Sequence, residues 1–397
     1  MEQCWRWFGP NDPVKLDYIK QAGATGIVSA LHGYKEGVAW SRDDIEKRKL
    51  AIQAAGLRWA VCESIPMSSD IKLRTGAFKQ QIANWKDTLA LLSEAGVKMV
   101  NYNFMPVVDW TRTNLHYAVE KGGYALRFDM VDFVAYDVFV LKRPNAAGDY
   151  VPDLVEHAKK RFASMDDEAK RLLERNIIAG LPGGEDTYNR EGVAREIARF
   201  DGVTPDELRS NLAEFIREMA PVAEELGVRL GIHADDPPFP LFGLPRVVST
   251  GDDFRHILAA HDSLSNGITF CVGSMGARPD NNLTDLIVEF APRVAFAHLR
   301  NTTREPDGSF YEAEHLDGDS NMVKIVFALL DEENRRRAEG RWDDSIPMRP
   351  DHGHLLADDI EKVEAGIKVN AGYSYIGRLK GLAELRGVMR AHAVVNG

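Results

Sequence analysis

The chain has 397 residues, 44% of them hydrophobic and 27% charged, which fits one large α/β barrel or two ordinary domains of a globular protein. Its formal charge of −11 argues against nucleic acid as a partner, because binding phosphate backbones needs clustered Lys and Arg, but leaves room for a small anionic ligand held by local charge. No apolar run reaches the roughly 18 residues of a membrane span, the segment MEQCWRWFGPND is not a signal peptide, and Cys4, Cys62 and Cys271 are too scattered for a disulfide framework, so a cytoplasmic protein is expected.

Residues 4–8 are short and aromatic and predict a first strand, ended by Gly9-Pro10. Asp12 as N-cap and Pro13 at the first helical position predict a helix through Leu16, Ile19 and Ala22. Residues 25–31 predict the second strand, and Ser41 with Asp44 opens a helix that closes before Gly56. The third and fourth strands fall at 58–64 and 97–104, with a helix ending at Gly96 between them. From Val107 to about Val203 the alternation breaks: there are helical patterns, a Pro-Gly-Gly turn at 182–184 and no convincing buried strand. That stretch is too long for an ordinary loop. It reads as a mainly helical insertion, 107–203, inside a single domain spanning 1–397, serving as a lid, an interface or both. Self-association to a dimer or higher is therefore expected.

Regularity returns at Thr204-Pro205-Asp206-Glu207, a capping box that opens a helix ending at Gly227. Four more strands are predicted at 228–233, 268–271, 294–298 and 346–348, with helices at 250–260, 283–290, 322–339 and 378–392. Eight strands alternating with eight helices predict a (β/α)8 TIM barrel with one long insertion after strand four. A doubly wound open sheet is the alternative, but no Gly-x-Gly-x-x-Gly follows the first strand, so dinucleotide binding has no support.

Each of the last four strands ends in a residue that can bind a metal. His233, Cys271 and His298 close three of them, and Asp351 follows Met348-Arg349-Pro350. Successive barrel strands bring their carboxyl ends to one rim. Two imidazoles, a thiolate and a carboxylate suit a divalent first-row metal such as Mn2+, Fe2+, Co2+ or Zn2+ better than Mg2+ or Ca2+. A lone buried Cys or strand-end His is more often structural; the coincidence at four consecutive strands decides the reading. Asp351 is followed directly by His352 in RPDHGH, 349–354. Neighbours on a strand face opposite ways, so these two share a pocket only where the strand has ended and the chain is turning. His352 is read as a proton-transfer residue and not as a ligand. Arg278, Arg300, Arg304 and Arg349 cluster near the same rim and point to an anionic substrate held in a guanidinium fork. Glu63 and Asn103, near the ends of strands three and four, line the pocket or cap turns.

The segments WRWFGPNDPV, AGATGIV, YNFMPVVDWTRT, RNIIAGLPG, GIHADDPPFP, GLPRVVST, HLRNTTRE, IPMRPDHGH and GYSYIGRLKGLAELRGV resemble the mannonate dehydratases of the xylose-isomerase-like barrel type, over nearly the whole chain. The resemblance implies dehydration of D-mannonate to 2-dehydro-3-deoxy-D-gluconate in hexuronate breakdown, with one Mn2+ or Fe2+ per chain. It puts the metal ligands on His233, Cys271, His298 and Asp351, and the catalytic positions on His352 and Tyr373; Tyr375 is not carried over. Asn103, Arg278, Arg300 and Arg349 are then the candidates for binding the sugar acid. Sequence leaves open which of His352 and Tyr373 is base and which is acid. Two other readings compete. A metal-dependent aldose–ketose isomerase on the same barrel would favour a carboxylate-rich metal site, where a Cys ligand is out of character. A non-catalytic sugar-acid-binding protein would have no need of His352 beside a ligand.

Overall fold

The computed structural model describes residues 1–179 and 189–396. Its twelve strands are β1 Glu2–Arg6, β2 Gly26–Ser29, β3 Arg58–Glu63, β4 Met99–Tyr102, β5 Asn114–Ala118, β6 Tyr124–Phe128, β7 Arg229–His233, β8 Asn266–Cys271, β9 Val294–His298, β10 Thr302–Arg304, β11 Phe310–Glu312 and β12 Pro347–Arg349. Eight close into a parallel barrel in the order β1-β12-β9-β8-β7-β4-β3-β2. The protein is a (β/α)8 TIM barrel. Predicted strand ends move by a few residues; β1, for example, starts and stops two residues before the predicted 4–8.

Period-two alternation sorts each barrel strand into two faces. Cys4, Val28, Val61, Met99 and Phe296 form a small apolar cluster inside the barrel. Arg6, Glu63 and His298 each lie two residues further along the same face, toward the carboxyl ends. The barrel is thus plugged by apolar side chains directly beneath a polar rim. The opposite faces, among them Trp5, Ile27, Leu230 and Ile268, pack with helical residues such as Ile52, Leu89, Phe215 and Ile325 in one large outer core.

Helix starts follow local chemistry. Ser41 accepts a hydrogen bond from Asp44 N, Thr204 from Glu207 N ahead of Pro205, and Thr250 from Asp253 N in a reciprocal capping box. The first helix departs from expectation. It begins at Leu16, because Asp12 accepts from Phe8 N at 2.7 Å and Val14 N at 2.9 Å and so holds a turn at the barrel mouth.

The excursion after β4 also differs. It carries the helices Met130–Ala135, Pro152–Ser164, Asp167–Ile178 and Arg190–Arg199, but it opens with a β-hairpin, β5–β6. A second, shorter excursion after β9 supplies β10–β11, and the four strands form an antiparallel sheet in the order β10-β11-β6-β5. Phe128 on β6 stacks on its register partner Phe310 on β11, with ring centroids 5.7 Å apart. The Pro-Gly-Gly turn expected at 182–184 lies outside the described residues. Among the described residues no helix is long and apolar enough to cross a membrane.

Candidate metal centre and active site

Sheet register builds the site. Cys271 is paired with His298 across β8 and β9, and His298 with Arg349 across β9 and β12. Three chemically active side chains therefore stand on one level of the rim. His233 closes β7 beside them, and its Nε2 lies 3.0 Å from His298 Nδ1. His233, Cys271 and His298 each offer one donor atom within 4.8 Å of the others, and theirs is the one such group among the described residues. Asp351 joins two of the three: its Oδ2 is 3.9 Å from Cys271 Sγ and 3.8 Å from His298 Nδ1. An ion about 2.1 Å from each nitrogen or oxygen in a tetrahedral arrangement would space its donors roughly 3.4 Å apart. The observed separations bracket that value, so the donor set fits a divalent metal.

The free valences of these groups are disposed of locally. His233 Nδ1 donates to Ala234 O at 2.6 Å, so Nε2 is the nitrogen that faces the cluster. Cys271 Sγ accepts from Ser274 Oγ at 3.1 Å and from Ser274 N at 3.5 Å. Burial opposes charge on the His233 imidazole, yet the Cys271 sulfur and the carboxylates Glu63 and Asp351 hold its pKa up at about 9. Burial and the Arg349 guanidinium push His298 the other way, well below the usual histidine range. Asp351 is buried, but Arg349, His352 and Arg300 hold its carboxyl well below the usual carboxylate range.

The turn required by the adjacent Asp351 and His352 is present. β12 stops at Arg349, and Asp351 has φ +66°, the left-handed region that non-glycine residues rarely occupy. This swings Asp351 toward the cluster and His352 toward a neighbouring cavity of about 170 Å3. Gly353 permits the course of the chain, since a Cβ there would lie 2.4 Å from Arg378 N. The cavity is walled by Arg6, Asn103, Trp110, Arg349, His352 and Tyr373, and is touched by His233 and Asp351. The His352 ring meets Tyr373 edge-on at 5.1 Å and Trp110 at 5.7 Å. Burial raises the Tyr373 phenol above its ordinary value, although the nearby Arg349 works against it. Three roomier surface cavities, of about 330, 440 and 610 Å3, lie away from the cluster of His233, Cys271 and His298.

Of the four residues expected to bind substrate, two line this cavity and two do not. Arg349 is at its wall, with Nη2 on Glu63 Oε1 at 2.9 Å and Nε on His298 Nε2 at 3.1 Å. Asn103 is there too, its Nδ2 donating to Asp109 Oδ2 at 3.3 Å. Arg300 is fully buried instead. Its Nε donates to Asp351 Oδ2 at 2.7 Å, Nη1 to Glu312 Oε1 at 2.9 Å, and Nη2 to Ser274 Oγ at 3.0 Å and to Asp236 Oδ2. It lines no part of the cavity, so it braces Asp351 and offers no fork to a ligand there. Arg278 is spent on Asp280 at 2.6 and 2.9 Å and on Pro238 O at 3.0 Å, outside the cavity. Tyr375, which the resemblance leaves out of the site, points away and donates to Tyr18 O at 3.0 Å.

Sequence reasoning missed Arg6, Trp110, Arg112, Asp236 and Glu312. Arg6 was detectable, since it shares the inward face with Cys4 and ends β1; it stands at the cavity wall, 3.0 Å from Glu63 Oε2. Arg112, Asp236 and Glu312 form a buried ionic network with Arg300: Arg112 Nη1 is 2.7 Å from Asp236 Oδ1, and Nη2 is 2.8 Å from Glu312 Oε1. They come from the segments after β4, β7 and β9 and from β11, far apart in the chain, so no local pattern brings them together.

A closed parallel barrel carrying a cluster of two imidazoles, a thiol and a carboxylate at the carboxyl ends of its strands belongs to the barrel enzymes that act through a bound divalent metal. Comparison with known proteins narrows the class. The sequence matches the family D-mannonate dehydratase (UxuA) over residues 1–396. It is 58% identical over 390 residues to mannonate dehydratase 2 of Agrobacterium fabrum, covering 98% of this chain and 97% of that protein. It is 55% identical over 395 residues to a mannonate dehydratase of Saccharophagus degradans, covering 100% and 98%. The crystal structure of mannonate dehydratase from Streptococcus suis serotype 2 superposes with a TM-score of 0.75 at 30% identity, covering 100% of this chain and 94% of that one. The chain belongs to the mannonate dehydratase family, and its members are hydro-lyases.

Proposed function

We propose that this chain dehydrates D-mannonate to 2-dehydro-3-deoxy-D-gluconate with one Mn2+ or Fe2+ held by His233, Cys271, His298 and Asp351, and with His352 and Tyr373 as the proton-transfer pair. The observation that carries the reading is the meeting, in one cavity, of His233 and Asp351 from the cluster with two residues that can exchange protons, 5.1 Å apart ring to ring. The reaction removes a proton from C2, beside a carboxylate, where C–H bonds are very weakly acidic, and a hydroxyl from C3. A bound divalent ion supplies the positive charge that the carboxylate needs as the C2 proton leaves. One of His352 and Tyr373 takes that proton and the other donates to the departing hydroxyl. Arg349 and Asn103 face the cavity and hold the sugar acid. Arg6, on the same wall, joins them in place of Arg300 and Arg278. Trp110 and Phe8 pack against His352 and Tyr373 and keep both rings in place.

Residues 107–203 are proposed as an insertion within a single barrel domain. Their hairpin pairs with β11, which supports a role in finishing the site as well as covering it. Self-association and a cytoplasmic location remain part of the same reading. The test is turnover: purified protein is stripped with a chelator, restored with Mn2+, Fe2+, Mg2+ or Zn2+, and assayed for a keto-deoxy acid from D-mannonate. Activity should return with Mn2+ or Fe2+. Cys271→Ala should weaken metal binding by more than the about 10–100-fold that loss of an outer-shell partner costs. A ketose formed from an aldose, with no dehydration product, would support the isomerase instead, and full metal occupancy in Cys271→Ala would remove the thiolate from the ligand set.

A further inference from the structure

The accessory sheet ends β11 on Glu312, a carboxylate that is 3% exposed and lies against His352. Glu312 Oε1 is 3.1 Å from His352 Nδ1. The same oxygen accepts from Arg112 Nη2 at 2.8 Å and Arg300 Nη1 at 2.9 Å, and Oε2 accepts from Arg300 Nη1 at 3.1 Å. A carboxylate clamped by two guanidinium groups has no proton to give, so it can only accept from the ring. Nδ1 must then carry hydrogen. The other ring nitrogen, Nε2, lies 3.8 Å from Asp351 Oδ1, beside the cavity. Trp110 and Tyr373 meet the ring edge-on and oppose its rotation.

We propose that Glu312 is a positioning residue that keeps hydrogen on His352 Nδ1, so that Nε2 is the nitrogen that takes or gives the proton during turnover. The inference rests on His352 being a proton-transfer residue. Arg112 and Arg300 serve it at one remove by holding Glu312 ionised and in place. The arrangement accounts for two buried features: an Arg112 that is 0% exposed and is not among the residues lining the cavity, and an accessory strand that ends where the loop carrying Asp351 passes. It also separates the two acids near His352. Asp351 faces the metal cluster, whereas Glu312 faces the ring.

The test is a spectroscopic one. Protein labelled with 15N-histidine is loaded with Zn2+, which is diamagnetic, and long-range 1H–15N spectra are recorded over a range of pH, with His352→Asn used to assign the ring. Nδ1 of His352 should show the shift of a protonated nitrogen throughout, with any change confined to Nε2. In Glu312→Gln that preference should be lost, and kcat for D-mannonate with Mn2+ should fall about 10–100-fold at unchanged KM and metal content. A neutral His352 ring protonated at Nε2 in the wild type overturns the proposal, and so does Glu312→Gln with unchanged kcat. If that variant fails to fold, the wild-type spectrum decides alone. Failure of the underlying functional reading is recognised separately, as a wild-type protein that does not turn over D-mannonate or a His352→Asn protein that does so at the normal rate.

Discussion

Asp351 and His352 are covalent neighbours with different surroundings, and the left-handed backbone at Asp351 is what separates them. Asp351 is braced by Arg300 and Arg349 and turned to the cluster of His233, Cys271 and His298, and His352 is held by Glu312 at the edge of the cavity. His352→Asn should therefore keep metal and substrate affinity but lose about 10²–10⁴-fold in kcat, the usual cost of a missing general acid or base. Loss of metal along with the activity would show that the ring is a ligand. Asp236 makes a second residue-scale prediction. It is buried, which alone would raise its carboxyl, but Arg112 and Arg300 hold it below the ordinary range. A carboxyl depressed in the folded state contributes stability that is complete above its unfolded pKa of about 3.9 and is lost as pH falls through the lower folded value. Asp236→Asn should cost about 3–5 kcal/mol at pH 7, because it leaves buried guanidinium groups short of a partner. In urea unfolding the gap between variant and wild type should narrow progressively below pH 4. A gap that stays constant to pH 2 would mean that the network is not ionised in the folded protein.

At the scale of elements, the accessory sheet shows what was legible and what was not. The barrel was readable because each strand carries its own punctuation, and His233, Cys271 and His298 fall on the last residues of β7, β8 and β9. Asp351 was readable because an acid and an imidazole in sequence need a turn to share a pocket. The hairpin was not, although Asn114–Ala118 and Tyr124–Phe128 are β-prone runs separated by Gly122 and Gly123, both with φ +86°. Its outer strand alternates between exposed and half-buried side chains, and β11 has only three residues, so neither looks like a core strand. Glu312 and Arg112 are hidden for the same reason: a buried ion pair formed between distant segments has no local period. Arginines near the rim read as substrate contacts because sequence shows proximity but not which carboxylate has already claimed the guanidinium. The sheet can be tested directly. Phe128 is 0% exposed and touches Phe133, Phe239 and Phe310. Phe128→Ala should cost about 3–5 kcal/mol in unfolding free energy, and kcat should fall with it because β11 carries Glu312. Normal kcat in a destabilised variant would show that the sheet does not position the site.

For the whole molecule, the question of assembly falls on the insertion. Val151 is 65% exposed and Leu172 is 49% exposed, both on its helical part. Isolated apolar residues at a surface are ordinary, but here they accompany an excursion far longer than a connection needs to be. Sedimentation at micromolar concentration should give a dimer or a larger species, and Val151→Asp with Leu172→Asp should shift it toward monomer. A wild-type monomer at that concentration would remove the interface role.

The pairing of β6 with β11 limits how this protein can be recombined. Phe128 faces Phe310 and Arg127 faces Tyr311, while Arg127 Nη2 also reaches Glu305 Oε2 at 2.7 Å. The excursion at 107–203 is therefore not a cassette. A chimera of two family members that exchanges it alone places a foreign strand against the resident one and mismatches both the aromatic stack and the ion pair. Exchanging 302–319 in the same chimera restores a matched set, so crossover points that respect the sheet should yield active hybrids where those that respect only chain continuity fail.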